Sequence, residues 1–289
     1  MLFSVIIATR NRAAELAQAL ESLQRQDGAP AFEILVVDNG STDETQLVTA
    51  RFERATVPVR YVWEARPNRA RARNRGVEVA RGTHLLFCDD DVELPRRWVA
   101  AHASAQRNER SVVNGPILNV QSRLERPSPR SAHYSRAFLC SCNVSLPTGA
   151  FIEAGGFDES FDLYGWEDTE LGLRLRRMGL AWKFAWDAYL WHIKPVHEAS
   201  LAEELRKAVE KARMARRFVT KHPSARARWA TGAHALNLFR ARYFLPERWL
   251  WLLGGLATSA RAPRWLAAAA RTHLLDGIYA RELLAVTRE

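Results

Sequence analysis

Cysteine is scarce: Cys88, Cys140 and Cys142 are the only three in 289 residues. That excludes a disulfide framework, and Cys140-Ser141-Cys142 lacks the spacing and second pair of a zinc site, so these read as buried thiols. Long hydrophobic runs are also missing. The apolar stretch Trp249–Ala260 covers twelve residues between Arg248 and Arg261, where a spanning helix needs about twenty. No internal repeat is evident, and no basic leader precedes the strand-like Leu2-Phe3-Ser4-Val5-Ile6-Ile7-Ala8. From these absences we expect a reducing, cytoplasmic setting. Most of the chain has no charge excess either, since residues 1–199 hold 25 Lys/Arg and 25 Asp/Glu. The net +10 therefore falls in residues 200–289, with 17 basic against 7 acidic residues. A hydrophobic content of 47% suffices for a sizeable core and argues against disorder.

What is present alternates. Apolar, β-branched runs at Phe3–Ala8, Phe32–Val37, Val59–Trp63 and Thr83–Cys88 are separated by helical spacing at Ala13–Gln26 and Ala70–Ala80. Strands alternating with helices predict βαβ units, a mostly parallel central sheet flanked by helices, and a ligand beyond the carboxyl ends of the strands. Thr9-Arg10, Asp38 and Asp89-Asp90-Asp91 all fall at such ends. The segment 121–136, rich in Arg, Ser and Pro, reads as a loop of the active-site-lid kind. Phe138–Leu146 resumes a strand, and Thr169–Met178 is a helix stopped by Gly179. Composition shifts near Ser200, so we expect one domain over 1–199, with halves 1–120 and 121–199, and a basic, Trp/Arg-rich helical appendage over 200–289.

Two acidic stations carry the chemistry. Three adjacent carboxylates at the end of a buried strand repel one another unless a cation compensates them, so Asp89-Asp90-Asp91 points to Mg²⁺ or Mn²⁺ and a phosphate-bearing substrate. The plainer reading is a solvated turn in which Asp91 caps a helix. The second station, Trp166-Glu167-Asp168, opens a helix; its carboxylates can cap that helix or serve as a base. His192 is either a core histidine or the imidazole that completes a divalent site. Asp38 can be an Asx turn or a contact to a nucleobase or ribose. Arg66, Arg69, Arg71, Arg73 and Arg75 crowd one segment; most form a solvated face, and one or two can point at the strand ends to neutralise phosphate.

These residues resemble family 2 glycosyltransferases. The resemblance runs through Ser4–Arg12, Val36–Thr45, Ala72-Arg73-Asn74-Arg75-Gly76, Phe87–Asp91, Cys142–Leu146, Gly155-Gly156-Phe157-Asp158-Glu159 and Gly165–Leu171. It covers about residues 3–195 and leaves the tail outside. It implies a GT-A fold, a nucleotide-diphosphate-sugar donor and inversion at the anomeric carbon. By resemblance, Thr9 and Arg10 lie near the donor, Asp38 contacts uracil in UDP-sugar users, and Arg73 faces the phosphates. Asp89 and Asp90 then serve the donor, with Asp89, Asp91 and His192 on the metal. Asp168 matches the catalytic base, with Trp166 and Glu167 on the acceptor side. The family often shows an aspartate where Glu170 stands. The resemblance implies as acceptor a hydroxyl of a glycan or a lipid-linked molecule.

Arginines beside tryptophans over 240–275 suit an interfacial helix on anionic lipid at the inner face of the membrane. They equally suit a helical appendage packed on protein. A nucleic-acid partner is not expected, because the tail carries no recognition motif and the conspicuous site is acidic. The other enzyme classes consistent with the aspartates are a nucleotidyltransferase and a phosphohydrolase. A phosphatase using an aspartyl nucleophile after the first strand would need a carboxylate where this chain has Thr9. A non-catalytic module binding an anionic ligand is the remaining alternative.

Overall fold

The computed structural model describes residues 3–106, 110–131, 137–194, 200–259 and 261–285. Parts of the 121–136 loop and of the stretch around the 199/200 boundary lie outside the described residues. The chain divides into two compact units, one of Met1–Asp162 with Glu167–His197, the other of Leu163–Trp166 with Glu198–Glu289.

The first unit begins β1 (Phe3–Thr9), α1 (Ala13–Gln24), β2 (Phe32–Asp38), α2 (Thr45–Ala50), β3 (Val59–Trp63), α3 (Arg69–Glu78) and β4 (His84–Cys88). It continues with β5 (Val92–Glu93), α4 (Trp98–Ala105), β6 (Ser111–Asn114), β7 (Ile117–Val120), β8 (Asn143–Pro147) and α5 (Thr148–Glu153). It closes with α6 (Glu167–Arg177), β9 (Ala181–Phe184) and β10 (Leu190–Ile193). Seven strands form one sheet in the order β3-β2-β1-β4-β8-β6-β9, and β5-β10-β7 form a second. β1, β2, β3 and β4 are mutually parallel, while β8 runs antiparallel to both β4 and β6. The chain leaves β1 toward β2 on one side and returns at β4 on the other. The crevice where strand order reverses lies between the ends of β1 and β4, where parallel sheets place ligands.

Burial on both faces explains the unbroken apolar strands. All seven residues of β2 are buried, and the core splits into a layer with Leu16, Leu20 and Trp98 and a layer with Phe87, Phe151 and Leu171. Each such side chain contributes about 1.5–3 kcal/mol by leaving water. Glu33, buried in β2, is satisfied by the Ser4 hydroxyl at 2.7 Å, the Arg81 N–H at 2.6 Å and the Arg60 guanidinium at 3.1 Å. Helix α3 sits close on the sheet because position 76 is glycine. A Cβ there would meet Ile6 Cγ2 at 2.7 Å and Val37 Cγ2 at 3.0 Å.

The strand expected over Phe138–Leu146 forms only from Asn143, since the preceding residues are taken into hydrogen bonds with Asn114 and the start of α6. The helix expected from Thr169 begins two residues earlier, at Glu167, and ends before Gly179, which adopts φ +81°. Asp91 caps no helix, because β5 follows it directly.

The second unit is helical: α7 (Leu201–Lys221), α8 (Ala225–Thr231), α9 (Ala235–Tyr243), α10 (Glu247–Ala257) and α11 (Arg264–Leu284). Ser200 caps α7 by accepting from the Glu203 N–H at 3.2 Å, with Glu203 and Glu204 in the first turn. Helix α11 packs against α7, α9 and α10. Trp166 belongs to this unit, where its ring stacks on Phe218 with centroids 5.4 Å apart. Its backbone sits in the left-handed region at φ +75°, a costly conformation for a bulky residue. None of the described helices is long and apolar enough to cross a membrane.

Candidate active site

The three consecutive aspartates have three different environments. Asp90 turns inward, where the Thr9 hydroxyl donates to Oδ2 at 2.7 Å and Arg12 Nη1 to Oδ1 at 3.0 Å. Burial pushes its carboxyl up to about 6, with Arg12 and Thr9 pulling the other way. Asp90 therefore ties the ends of β1 and β4 together, and Thr9 is buried in that bond. Asp89 remains partly open, with Arg73 Nη2 3.4 Å from Oδ1. Asp91 accepts from Arg12 Nη1 at 2.8 Å on Oδ2, while Oδ1 lies 2.8 Å from His192 Nε2. Burial acts to raise its pKa, but His192 and Arg12 more than offset this and hold the carboxyl below its ordinary value.

His192 arrives through sheet pairing. β10 runs antiparallel to β5 with His192 opposite Val92, and the Ile193 N–H donates to the Asp91 carbonyl at 2.8 Å. The other ring nitrogen, Nδ1, lies 4.0 Å from Cys142 Sγ. One ligand atom each from Asp89, Cys142 and His192 falls within 4.8 Å of the others. Burial, reinforced by Asp89, pushes the Cys142 thiol well up.

These residues fit a divalent cation. Asp91 Oδ1 is buried and lies 2.8 Å from His192 Nε2. Two donor atoms at that separation match adjacent ligands of one octahedral ion, about 3 Å apart for bonds of about 2.1 Å. Carboxylate oxygens with an imidazole suit Mn²⁺ or Mg²⁺ better than a thiolate-loving ion.

Of the five clustered arginines, Arg73 is the one buried on the inner stripe of α3, with Ala70, Gly76 and Val77. Arg71 is taken by Glu64 and Glu159, and Arg75 by Glu78. Burial opposes the Arg73 charge, but Asp89, then Asp168 and Glu167, bind its proton more tightly than usual. Its Nη1 is buried with no partner among the described residues.

Asp168 stands in the first turn of α6. Its Oδ2 accepts from the Ser141 N–H at 2.8 Å and the Ser141 hydroxyl at 3.1 Å. Its Oδ1 is buried and without a partner among the described residues. Burial first, and the neighbouring Glu167 second, push the carboxyl up to about 6, while Arg73 and Ser141 restrain it. A carboxylate raised in this way is a stronger base than a free one. Glu167 Oε2 is also buried and unpartnered among the described residues.

Asp38 is buried at the end of β2, accepting from the Ser41 N–H at 2.8 Å and the Tyr61 hydroxyl at 2.9 Å. Arg10 is exposed, and the arginine of that loop reaching the carboxylates is Arg12. The 121–131 stretch is pinned beside the site: Arg126 bonds Glu93 at 2.8 Å and lies 4.5 Å over the Trp191 ring.

Sequence reasoning passed over Arg12, Ser141 and Asn143. Asn143 Oδ1 accepts from Trp98 Nε1 at 3.0 Å and sits 2.9 Å from His102 Nε2. Its amide donates to the Pro116 and Ala188 carbonyls at 3.0 and 2.8 Å. This buried network anchors the turn that presents Ser141. A buried polar residue inside an apolar strand, where β8 has Asn143 and Ser145, was the available signal.

An open α/β sheet thus carries Asp91 beside His192 at its switch point, and a second, restrained carboxylate, Asp168, at the start of α6. The Glycosyl transferase family 2 model matches residues 4–158, and that described as the N-terminal domain of galactosyltransferase matches 124–196. The chain belongs to glycosyltransferase family 2. It is 32% identical over 267 residues to validoxylamine A glucosyltransferase of Streptomyces hygroscopicus subsp. limoneus, covering 77% of this chain and 57% of the relative. The chain thus spans under two thirds of that relative's length. Its fold is similar to mannosyltransferase PcManGT from Pyrobaculum calidifontis, solved with GDP-Man and Mn²⁺ (TM-score 0.64, 18% identity, 99% of this chain, 88% of that one). It is also similar to S. aureus TarS 1-349, solved with UDP-GlcNAc (TM-score 0.59, 18% identity, 100% and 92%).

Proposed function

We propose that this chain transfers a sugar from a nucleotide-diphosphate sugar, with UDP-sugars favoured, to a hydroxyl of a glycan or lipid-linked acceptor, with inversion. The observation carrying the reading is the Asp168 carboxylate, with one oxygen clamped by Ser141 and the other buried and unpartnered among the described residues. Such a group is built to take a proton. Asp168 Oδ1 accepts the acceptor's hydroxyl proton as that oxygen attacks in line, and a single displacement inverts the anomeric centre. Asp89, Asp91 and His192 hold Mn²⁺ or Mg²⁺, which when bound supplies Lewis-acid neutralisation of the leaving diphosphate. Arg73, already fixed beside Asp89, adds positive charge on the phosphate side. Thr9, Asp38 and the Asp90 tie shape the donor pocket between β1 and β4, with Trp166 and Glu167 toward the acceptor.

The nucleotide sugars bound in the similar structures are consistent with this donor class. The basic, tryptophan-bearing 240–275 stretch supports work at the inner face of the membrane, in peripheral contact with anionic lipid. A panel of nucleotide sugars with Mn²⁺, read by donor hydrolysis and thermal shift, tests the proposal. UDP-sugars should give the largest shift. A chain that stabilises with none of them and hydrolyses none is not a glycosyltransferase of this kind.

A further inference from the structure

Helix α10 carries its apolar residues on two sides. Leu250 is buried, and Leu253, Gly254 and Ala257 continue that packed stripe at helical spacing. On the other side Trp249, Trp251, Leu252 and Leu256 are 53%, 78%, 46% and 39% exposed, and Trp265, in the first turn of α11, is 73% exposed. Large apolar side chains gathered in this way mark an interaction surface. The sequence around them is basic: residues 225–275 hold eight arginines and a single acidic residue, Glu247, with Asp276 next on α11 and Glu203 and Glu204 on α7. Arg248, Arg261 and Arg264, at the two ends of α10 and the start of α11, are exposed. Tryptophan and leucine framed by arginine match an anionic bilayer, where rings settle at headgroup depth and cations meet phosphate. A nucleic acid would satisfy the arginines and leave the leucines in water.

Beside this face lies an apolar groove of about 490 Å³. Leu201 and Leu205 of α7, Leu250 with Gly254-Gly255 of α10, and Leu274 of α11 line it, and Trp251 stands at its edge. Two adjacent glycines inside a helix weaken it, so they need a reason. Contact among the described residues supplies none. A Cβ on Gly254 would meet nothing nearer than Leu274 at 3.9 Å, and one on Gly255 nothing within 4 Å. Gly277 of α11 is the contrast, because there a Cβ would strike Leu250 at 2.5 Å. What Gly254 and Gly255 do is keep the groove open. Its aliphatic walls suit hydrocarbon rather than a polar head.

We propose that this groove takes one hydrocarbon chain of an anionic bilayer lipid, while the Trp249–Trp265 face and its arginines seat on the headgroups. The proposal deepens the peripheral-membrane part of the function above and rests on it. The test is co-sedimentation of the full chain with vesicles of phosphatidylcholine and with equimolar phosphatidylcholine–phosphatidylglycerol. Binding should be at least about tenfold tighter to the mixed vesicles and should weaken with salt. Replacing Arg248, Arg261 and Arg264 together by Gln should cost about a hundredfold. The variant Gly254→Ala with Gly255→Leu fills the groove and should bind about tenfold more weakly. It should keep its circular dichroism and melt no lower, since both changes favour helix. Lipids brominated near the chain end should quench Trp251 fluorescence in the wild type but not in the filled variant, with Trp251→Phe identifying the signal.

A filled variant that binds and is quenched like the wild type overturns the groove assignment and leaves peripheral association standing. Equal or absent binding to both vesicles overturns the whole proposal. So does a dimer in solution that the filled variant abolishes, which would give the face to a second copy. Donor hydrolysis by the wild-type chain without vesicles tests the transfer reading separately.

Discussion

Arg73 Nη2 lies 3.4 Å from Asp89 Oδ1, and the same buried guanidinium feels the charge of Asp168. One cation thus stands among carboxylates of both acidic stations. Arg73→Gln should leave Asp168 with burial and Glu167 acting on it but less compensation. The acid limb of the pH–rate profile, expected near 6 from the Asp168 carboxyl, should move up by roughly one unit. Turnover should fall about a hundredfold or more. Arg73→Lys should recover little, because a point charge does not reproduce the planar fork. An unmoved limb would separate Arg73 from the base.

Asp168→Asn should retain nucleotide-sugar affinity and lose transfer by about three orders of magnitude or more, measured by single-turnover kinetics and donor titration. The variant should also be more stable at neutral pH. The folded carboxyl sits at about 6 against an ordinary 3.8, so the folded protein holds this proton more tightly than the unfolded chain does. The ionised group therefore costs stability, fully above about pH 6 and not at all below the unfolded value. Chemical denaturation should show a gain on the order of 2 kcal/mol at about pH 7.5, shrinking as pH falls. A loss at both ends of that range would make Asp168 structural.

Chelation should abolish transfer, and added Mn²⁺ should restore it. His192→Ala should raise the Mn²⁺ concentration required by about tenfold or more. Asp91→Asn should do more, since it removes charge as well as a ligand. Calorimetric titration of Mn²⁺ in the presence of UDP reads both, and wild-type affinity in both variants would exclude this metal site.

His102 is buried between Asn143 and Ser145, and burial lowers its pKa to about 4 from the ordinary 6.5. The unfolded chain takes up this proton first as pH falls. The stabilising contribution is thus complete above about pH 6.5 and is lost progressively toward about 4, amounting to about 3 kcal/mol. Asp90 and Asp168, with carboxyls near 6, act in the opposite sense over most of that window. The clean reading is therefore the difference between wild type and His102→Gln. Their stability gap should be widest at neutral pH and should close on acidification, and a constant gap would count against the neutral buried imidazole.

Much of the fold was legible because its signals are local. Alternating runs at Phe3–Ala8, Phe32–Val37, Val59–Trp63 and Thr83–Cys88 state their own period, and parallel strands buried on both faces must be apolar throughout. The antiparallel β8 was less legible. Where its pairing starts depends on Asn143 meeting Trp98 and His102, which no local period reports.

The sequence by itself determined that carboxylates stand at the ends of β2 and β4, with Thr9 at the end of β1, because a strand's end follows from its own residues. It also determined that the positive charge gathers after residue 200. Only the tertiary structure decided what each group does there. Folding turned Asp90 toward Thr9, left Asp89 partly open and set Asp91 between Arg12 and His192, and it chose Arg73 from the five clustered arginines and Arg12 over Arg10. It brought His192 to Asp91 by pairing β10 with β5. The physical reason is that charge and burial act through distance in space. A carboxylate's pKa and its free lone pair are set by groups brought from other segments, and nothing in its own neighbourhood along the chain reports them.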